Sequence, residues 1–276
     1  MRRSLYIAVV CILASMPMAA QSTWGLRTSV GTEKKIGKGL DAGFEVKYHL
    51  TDNFKNTDRW SVGASLSKRL YRNEAKTFSV KAGLGYKYMN VYTGWTTKYK
   101  GDLTDIEDGL DPEYYRINKY SFNLIDSYVD SRHRLTAYAQ ASAEVGKFKI
   151  SLRESYQFTH TDSVSFSKEK YRYKNGQWKD PETELDGKSA SNKSMLRSKI
   201  SVDYNIPHWK YDPFVSYELF NSLDKAFEVQ KSRITAGVDF SFNKKHNFEV
   251  AYMWQNQHDD DEPAGSFICI GYKYEF

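Results

Sequence analysis

Apolar and polar residues alternate with a period of two over long stretches of the chain. Leu40, Ala42, Phe44, Val46, Tyr48 and Leu50 are interleaved with Asp41, Gly43, Glu45, Lys47 and His49. Phe78, Val80, Ala82, Leu84, Tyr86 and Tyr88 are interleaved with Ser79, Lys81, Gly83, Gly85 and Lys87. Successive side chains of a strand point to opposite faces, so each run predicts a β-strand with one apolar and one polar face. The pattern recurs at Trp60–Leu66, Leu135–Val145, Phe148–Phe158, Leu196–Tyr204, Pro213–Leu219, Ile234–Phe242, Phe248–Trp254 and Ile268–Phe276, and more weakly at Trp24–Val30. The longer runs exceed the common strand length of about 5–6 residues. They match the ~9–11 residues a tilted strand needs to cross a bilayer.

The polar faces carry Gly, Ser, Thr, Gln and both signs of charge, unlike the interior of a soluble sandwich. A closed barrel with its apolar face outward pairs every backbone group and has no edge, which is what lipid demands. The expected fold is therefore all-β, a closed antiparallel transmembrane β-barrel. A lipocalin-like barrel would instead turn its apolar face inward, with about eight strands.

Connections of two kinds fit the barrel. Arg72–Lys76, Gly146–Lys147, Ile206–Lys210 and Asn243–Asn247 are short and read as periplasmic turns. Met89–Ser131 and Thr161–Lys193 are long and hydrophilic and read as two extracellular loops. A two-residue turn at Gly146-Lys147 sets Val145 opposite Phe148. Glu144 then faces Lys149 inside the barrel, Gln140 faces Arg153, and His133 faces His160 on the outer side. The alternating runs number eleven, whereas bacterial single-chain barrels have even counts. Twelve strands are expected, with the extra one in Tyr114–Ile125; the alternative is ten, with Trp24–Val30 outside the wall.

At the start of the chain, Arg2 and Arg3 precede an apolar stretch from Leu5 to Met16, and Ala19 and Ala20 follow Pro17. That is the layout of a secretory signal peptide over residues 1–20, with 21–276 as a single outer-membrane barrel domain. Cys11 leaves with the signal, so Cys269 alone remains and no intramolecular disulfide forms. Aromatic residues make up 15% of the chain, too many for a disordered protein. No apolar run after residue 20 approaches the ~18 residues of a transmembrane helix.

Ile268, Ile270, Tyr272, Tyr274 and Phe276 alternate up to an aromatic last residue. This resembles the C-terminal signature by which outer-membrane barrels are handed to the barrel assembly machinery. The mature chain as a whole is similar to the domain-of-unknown-function family 2490 of Gram-negative outer-membrane proteins. The resemblance is carried by Leu196–Pro207 (LRSKISVDYNIP), Val215–Asn221 (VSYELFN), Thr235–Gln255 (TAGVDFSFNKKHNFEVAYMWQ) and Ile270–Phe276 (IGYKYEF), with Ser151–Thr159 (SLRESYQFT) in support. It implies a barrel in the cell outer membrane, in contact with lipid and lipopolysaccharide, and assigns no activity.

Alternation places Asp41, Glu45, Glu144, Asp203, Glu218, Asp239, Glu249 and Glu275 inside, with Lys47, Lys81, Lys87, Lys149, Arg153, Arg197, Lys199, Arg233 and Lys273. The two signs nearly balance, and buried charges must be paired. A lumen closed by such a network is expected, with Arg153 and Arg197 each beside an inward acid and little steady conductance. The expected role is structural or narrow transport. The alternatives are a hydrolase with a rim active site and a surface-assembly component. Rim candidates for a hydrolase are His49, His133, His160 and Asp162, with Asp52 nearby. A phospholipase-type His-x-Ser pair on the outer wall is missing, since no histidine has serine two positions on. The acidic tip Asp259–Glu262 lacks the ligand spacing of a calcium loop. No cofactor or metal is expected, the location excludes nucleic acid, and no protein partner is indicated.

Overall fold

A computed structural model describes residues 23–103, 105–206, 209–243, 245–257 and 264–276. The signal-peptide segment and the acidic tip lie outside these residues. The elements in chain order are β1 (Trp24–Gly37), β2 (Leu40–Thr51), β3 (Asn56–Arg72), β4 (Phe78–Thr93), β5 (Thr96–Tyr99), α1 (Pro112–Ile117), β6 (Phe122–Ile125), β7 (Tyr128–Val145) and β8 (Phe148–Thr161). There follow β9 (Val164–Tyr171), β10 (Tyr173–Lys174), β11 (Gln177–Trp178), β12 (Glu182–Lys188), β13 (Ser191–Tyr204), β14 (Tyr211–Ser222), β15 (Val229–Phe242), β16 (His246–Gln257) and β17 (Gly265–Glu275).

Eleven of these strands close into a barrel in the order β1-β17-β16-β15-β14-β13-β8-β7-β4-β3-β2. The count is neither twelve nor ten. Trp24–Val30 belongs to a full wall strand, and Tyr114–Ile125 supplies none. An odd number leaves the first and last strands running the same way, so β1 pairs with β17 in parallel, Trp24 with Ser266 through Glu33 with Glu275. Parallel pairing is slightly weaker per residue than antiparallel, and this seam is tied at both ends. Ser266 N–H donates to the Thr23 carbonyl at 3.1 Å, and Phe276 N–H to the Glu33 carbonyl at 2.9 Å. Across it, Arg27 lies 4.2 Å from the Phe267 ring centroid.

Outside the wall, large apolar side chains stand uncovered: Leu84 is 65% exposed and Phe44 51%. Aromatic side chains collect near both ends of the outer face. At the end of the short turns, Tyr211, Phe240, Phe248 and Tyr272 form a chain of ring contacts 5.0–5.5 Å apart. At the other end Trp60 meets Tyr88 at 5.8 Å and Trp24 meets Tyr252 at 6.0 Å. The Gly146-Lys147 turn has Gly146 at φ 62°, the conformation a two-residue hairpin loop asks of its first residue. Val145 pairs with Phe148, Glu144 with Lys149 and His133 with His160.

The two long connections fold against each other. β12, β9, β6 and β5 form a separate four-stranded sheet, here called the cap. Tyr115 and Phe122 are fully buried in it, and Phe122 stacks on Tyr115 at 5.1 Å and on Tyr171 at 4.7 Å. The region expected to hold a twelfth wall strand is instead α1 followed by β6. Asp111 caps that helix by accepting from Glu113 N–H at 2.7 Å, and Pro112 suits its first turn.

Candidate functional site in the barrel lumen

The polar faces of the wall strands converge on the lumen, where the described residues line, among other space, a cavity of about 650 Å³ and one of about 290 Å³. The larger lies toward the turn end, among Glu33, Glu45, Arg153, Asp239, Glu249, Lys273 and Glu275. The smaller lies toward the loop end and differs in charge. Five arginines line it: Arg27, Arg59, Arg134, Arg197 and Arg233. Lys47, Lys87, Lys199 and Lys231 line it too, against the two acids Glu218 and Glu249.

Glu218 on β14 is the centre of the network. It is 5% exposed, and Arg197 reaches it at 2.8 Å, Lys199 at 3.1 Å and Arg233 at 3.9 Å. The register explains the convergence. Lys199 and Arg233 stand directly opposite Glu218 on the two flanking strands, and Arg197 is two residues from Lys199 on the same face. Glu45 is bonded by Lys47 at 2.9 Å and reached by Lys87 at 3.9 Å. Lys81 meets Asp41 at 3.3 Å.

Two expected pairs turn out differently. Arg153 has no acid beside it in register: its cross-strand neighbours are Gln140 and Lys199. It therefore donates to Gln140 Oε1 at 2.8 and 2.5 Å and lies 4.6 Å from the Tyr138 ring. Lys149 faces Glu144 in register, yet its ammonium lies 3.8 Å from Asp203 on the other flank. Asp239 and Glu249 stand opposite each other, two carboxyl side chains in register.

Arg27, Arg59 and Lys231 extend the inward set that alternation predicts, and Arg134, inward beside outward His133, joins them. They sit near the loop-end portions of their strands, where alternation is weak or extends past the recognised runs. Arg59 also depends on a bulge between β2 and β3. There Asp58 is the extra residue, buried with Arg59, which donates to it at 2.8 Å, while His49 approaches it at 3.7 Å.

The hydrolase candidates divide: His133, His160 and Asp162 come together on the outer wall, away from His49 and Asp52. His49 lines the small lumen cavity, Asp52 sits in the turn after β2, and His133, His160 and Asp162 lie on the outer wall. There Asp162 is 3.6 Å from His133 Nε2 and 3.5 Å from His160 Nε2. The Nδ1 atoms contact Tyr86 Oη and Asn192 Oδ1, each at 2.7 Å. Glu154, also outward, accepts from Ser198 Oγ at 2.7 Å.

The model of the family described as "Protein of unknown function (DUF2490)" matches residues 24–264, nearly the whole wall. The chain belongs to the DUF2490 family. No curated protein matches this DUF2490 chain. Among solved structures it is similar to the translocator domain of autotransporter NalP from Neisseria meningitidis, at 10% identity and TM-score 0.40, covering 93% of this chain and 90% of that one. It is also similar to the β domain of the Bordetella autotransporter BrkA, at 11% identity and TM-score 0.43, covering 91% and 95%. A third likeness is to OmpT of Vibrio cholerae in its trimer form, at 8% identity and TM-score 0.20, covering 89% and 93%. The closed wall itself, rather than these distant likenesses, carries the fold of the DUF2490 protein. At its end, Tyr272 Oη lies 2.9 Å from His246 Nδ1, and the Tyr274 and Phe276 rings meet edge to face at 4.8 Å.

Proposed function

We propose that this DUF2490 protein is an outer-membrane β-barrel, loop end outside and turn end toward the periplasm, whose lumen is narrowed to a small-solute passage. The observation that carries the reading is the charged lattice across the lumen, in which Arg197, Lys199 and Arg233 all reach Glu218. Long side chains held this way occupy the space that a wider barrel would leave as open channel. Among the described residues, cavities of about 650 and 290 Å³ lie between them. An uncovered apolar exterior between two aromatic girdles supports a bilayer setting, in contact with lipid and lipopolysaccharide. Tyr272, Tyr274 and Phe276 support hand-over to the barrel assembly machinery. The test is planar-bilayer recording of refolded protein. Small current steps are expected. A large steady conductance overturns the narrowed lumen, and a silent bilayer overturns the passage.

A further inference from the structure

We infer that the loop-end cavity is a binding site for a small polyvalent oxyanion of about phosphate size. The inference rests on the passage reading for access from solution, and otherwise on the cavity itself. Arg27, Arg59, Arg134, Arg197 and Arg233 reach it from five different strands. Guanidinium groups do not shed their proton in proteins, so these five charges persist at any physiological pH. With the four lysines there are nine bases against two lining acids. Among the described residues, Asp58 and Glu45 also bond Arg59 and Lys47. A lining this rich in guanidinium and ammonium donors offers a bound oxyanion more hydrogen-bond directions than one carboxylate can use.

The cavity also has oriented donors. Arg197, Lys231 and Arg233 gather around one ring, their cationic centres 4.7–5.2 Å from the Phe220 centroid. Arg197 gives one terminal nitrogen to Glu218 at 2.8 Å, while its Nε–H is buried without a hydrogen-bond acceptor. A buried donor left unmet is costly, and an oxygen of a bound anion would meet it. Planar guanidinium forks match oxyanions better than they match spherical chloride. The volume, about 290 Å³, is roughly the share of ten waters, enough for phosphate with part of its hydration shell. Glu249 lines both cavities and faces Asp239 of the turn-end one, so this carboxyl pair stands at the boundary between them.

The experiment is titration of the folded full chain in neutral detergent with inorganic phosphate, at ionic strength held constant with sodium chloride and read by calorimetry. Saturable binding is expected, weakened roughly tenfold or more by Arg197→Gln and strengthened by Glu218→Gln. Should Arg197→Gln not fold, Lys231→Gln takes its place. An independent readout uses Cys269, which lines the same cavity. A sulfonate-bearing methanethiosulfonate should modify its peptide faster than the trimethylammonium analogue, and Arg197→Gln or Lys231→Gln should shrink that ratio. Phosphate acting no differently from chloride, binding indifferent to the arginine or lysine variant, or faster reaction with the cationic reagent overturns the inference. Current without phosphate binding removes the inference and spares the passage, whereas phosphate binding in a silent bilayer does the reverse.

Discussion

Removing the Glu218 side chain is the sharpest perturbation of the lumen. Its carboxylate meets Arg197, Lys199 and Arg233 at 2.8, 3.1 and 3.9 Å. At an effective dielectric constant of about 20, each contact amounts to about 4–6 kcal/mol of gross attraction. Desolvation of the ions and repulsion among the three bases oppose this, and breaking a buried pair costs about 3–5 kcal/mol net. Glu218 and Arg233 are well buried, but the Arg197 and Lys199 side chains are 30% and 31% exposed, so water screens two of the three bases. Glu218→Ala is therefore expected at the lower end, about 3 kcal/mol. Glu218→Gln, which keeps an acceptor and loses the charge, should cost less. The assay is urea unfolding of the refolded barrel in detergent, followed by tryptophan fluorescence and extrapolated to water. Adding Lys199→Gln to Glu218→Ala should recover part of the loss, since one stranded base is then gone. A loss below about 1 kcal/mol, the range of exposed pairs, would refute the closed network and mean a lumen full of water.

Other outcomes are expected elsewhere. A Cβ at Gly25 would lie 2.5 Å from Phe267 Cδ1 and 2.6 Å from the Leu50 carbonyl oxygen. Gly25→Ala should therefore weaken the seam by roughly 1–3 kcal/mol, seen as a lower melting temperature of the folded band on a gel. In the cap, hydrogen bonds from the Lys168 ammonium hold the Glu184 and Asp186 carboxyls below their ordinary values of 4.5 and 3.8. Depressed carboxyls contribute above those values and lose the contribution as pH falls through the lower folded ones. Proteolysis of the cap should thus rise below about pH 4 and stay flat from about 5 to 8. Asp162→Ala should change stability by less than about 1 kcal/mol in the same urea assay, because the carboxylate and both histidines are exposed. Glu154→Leu should raise the unfolding midpoint, since a carboxylate on the lipid face costs more than the Ser198 hydrogen bond returns.

Alternation made the wall legible. Runs such as Leu40–Leu50 and Phe78–Tyr88 show both faces plainly, and Gly146-Lys147 fixes a register because a slip of one residue would reverse every side chain. The eleven runs matched the eleven wall strands, and only the even-count rule, which presumes antiparallel closure, argued them away; the parallel closure itself was not legible, because nothing in Trp24–Val30 announces a parallel neighbour. The cap was hidden for a different reason. Phe122 and Tyr115 sit in a stretch dense with Asp and Lys, and their burial depends on β9, some forty residues later. In the lumen, alternation named the inward charges but not their partners. Arg153 took an amide and a ring because its flanking strands offered no acid. The basic cavity is not legible as a whole, because Arg27, Arg59 and Lys231 lie at strand ends and beside a bulge, where counting by twos loses its footing.

The parallel seam also separates the two extremities of the wall. β1 begins at the loop end and β17 finishes at the turn end, so Trp24 and Phe276 stand a full cylinder height apart. An up-and-down barrel of even count brings its extremities to one rim, where a short linker can join them and new ones can be cut elsewhere. Here such circular permutation would need a linker running the length of the wall. A peptide grafted ahead of Trp24 and another after Phe276 would emerge at opposite rims, which under the proposed outer-membrane setting are opposite faces of the bilayer.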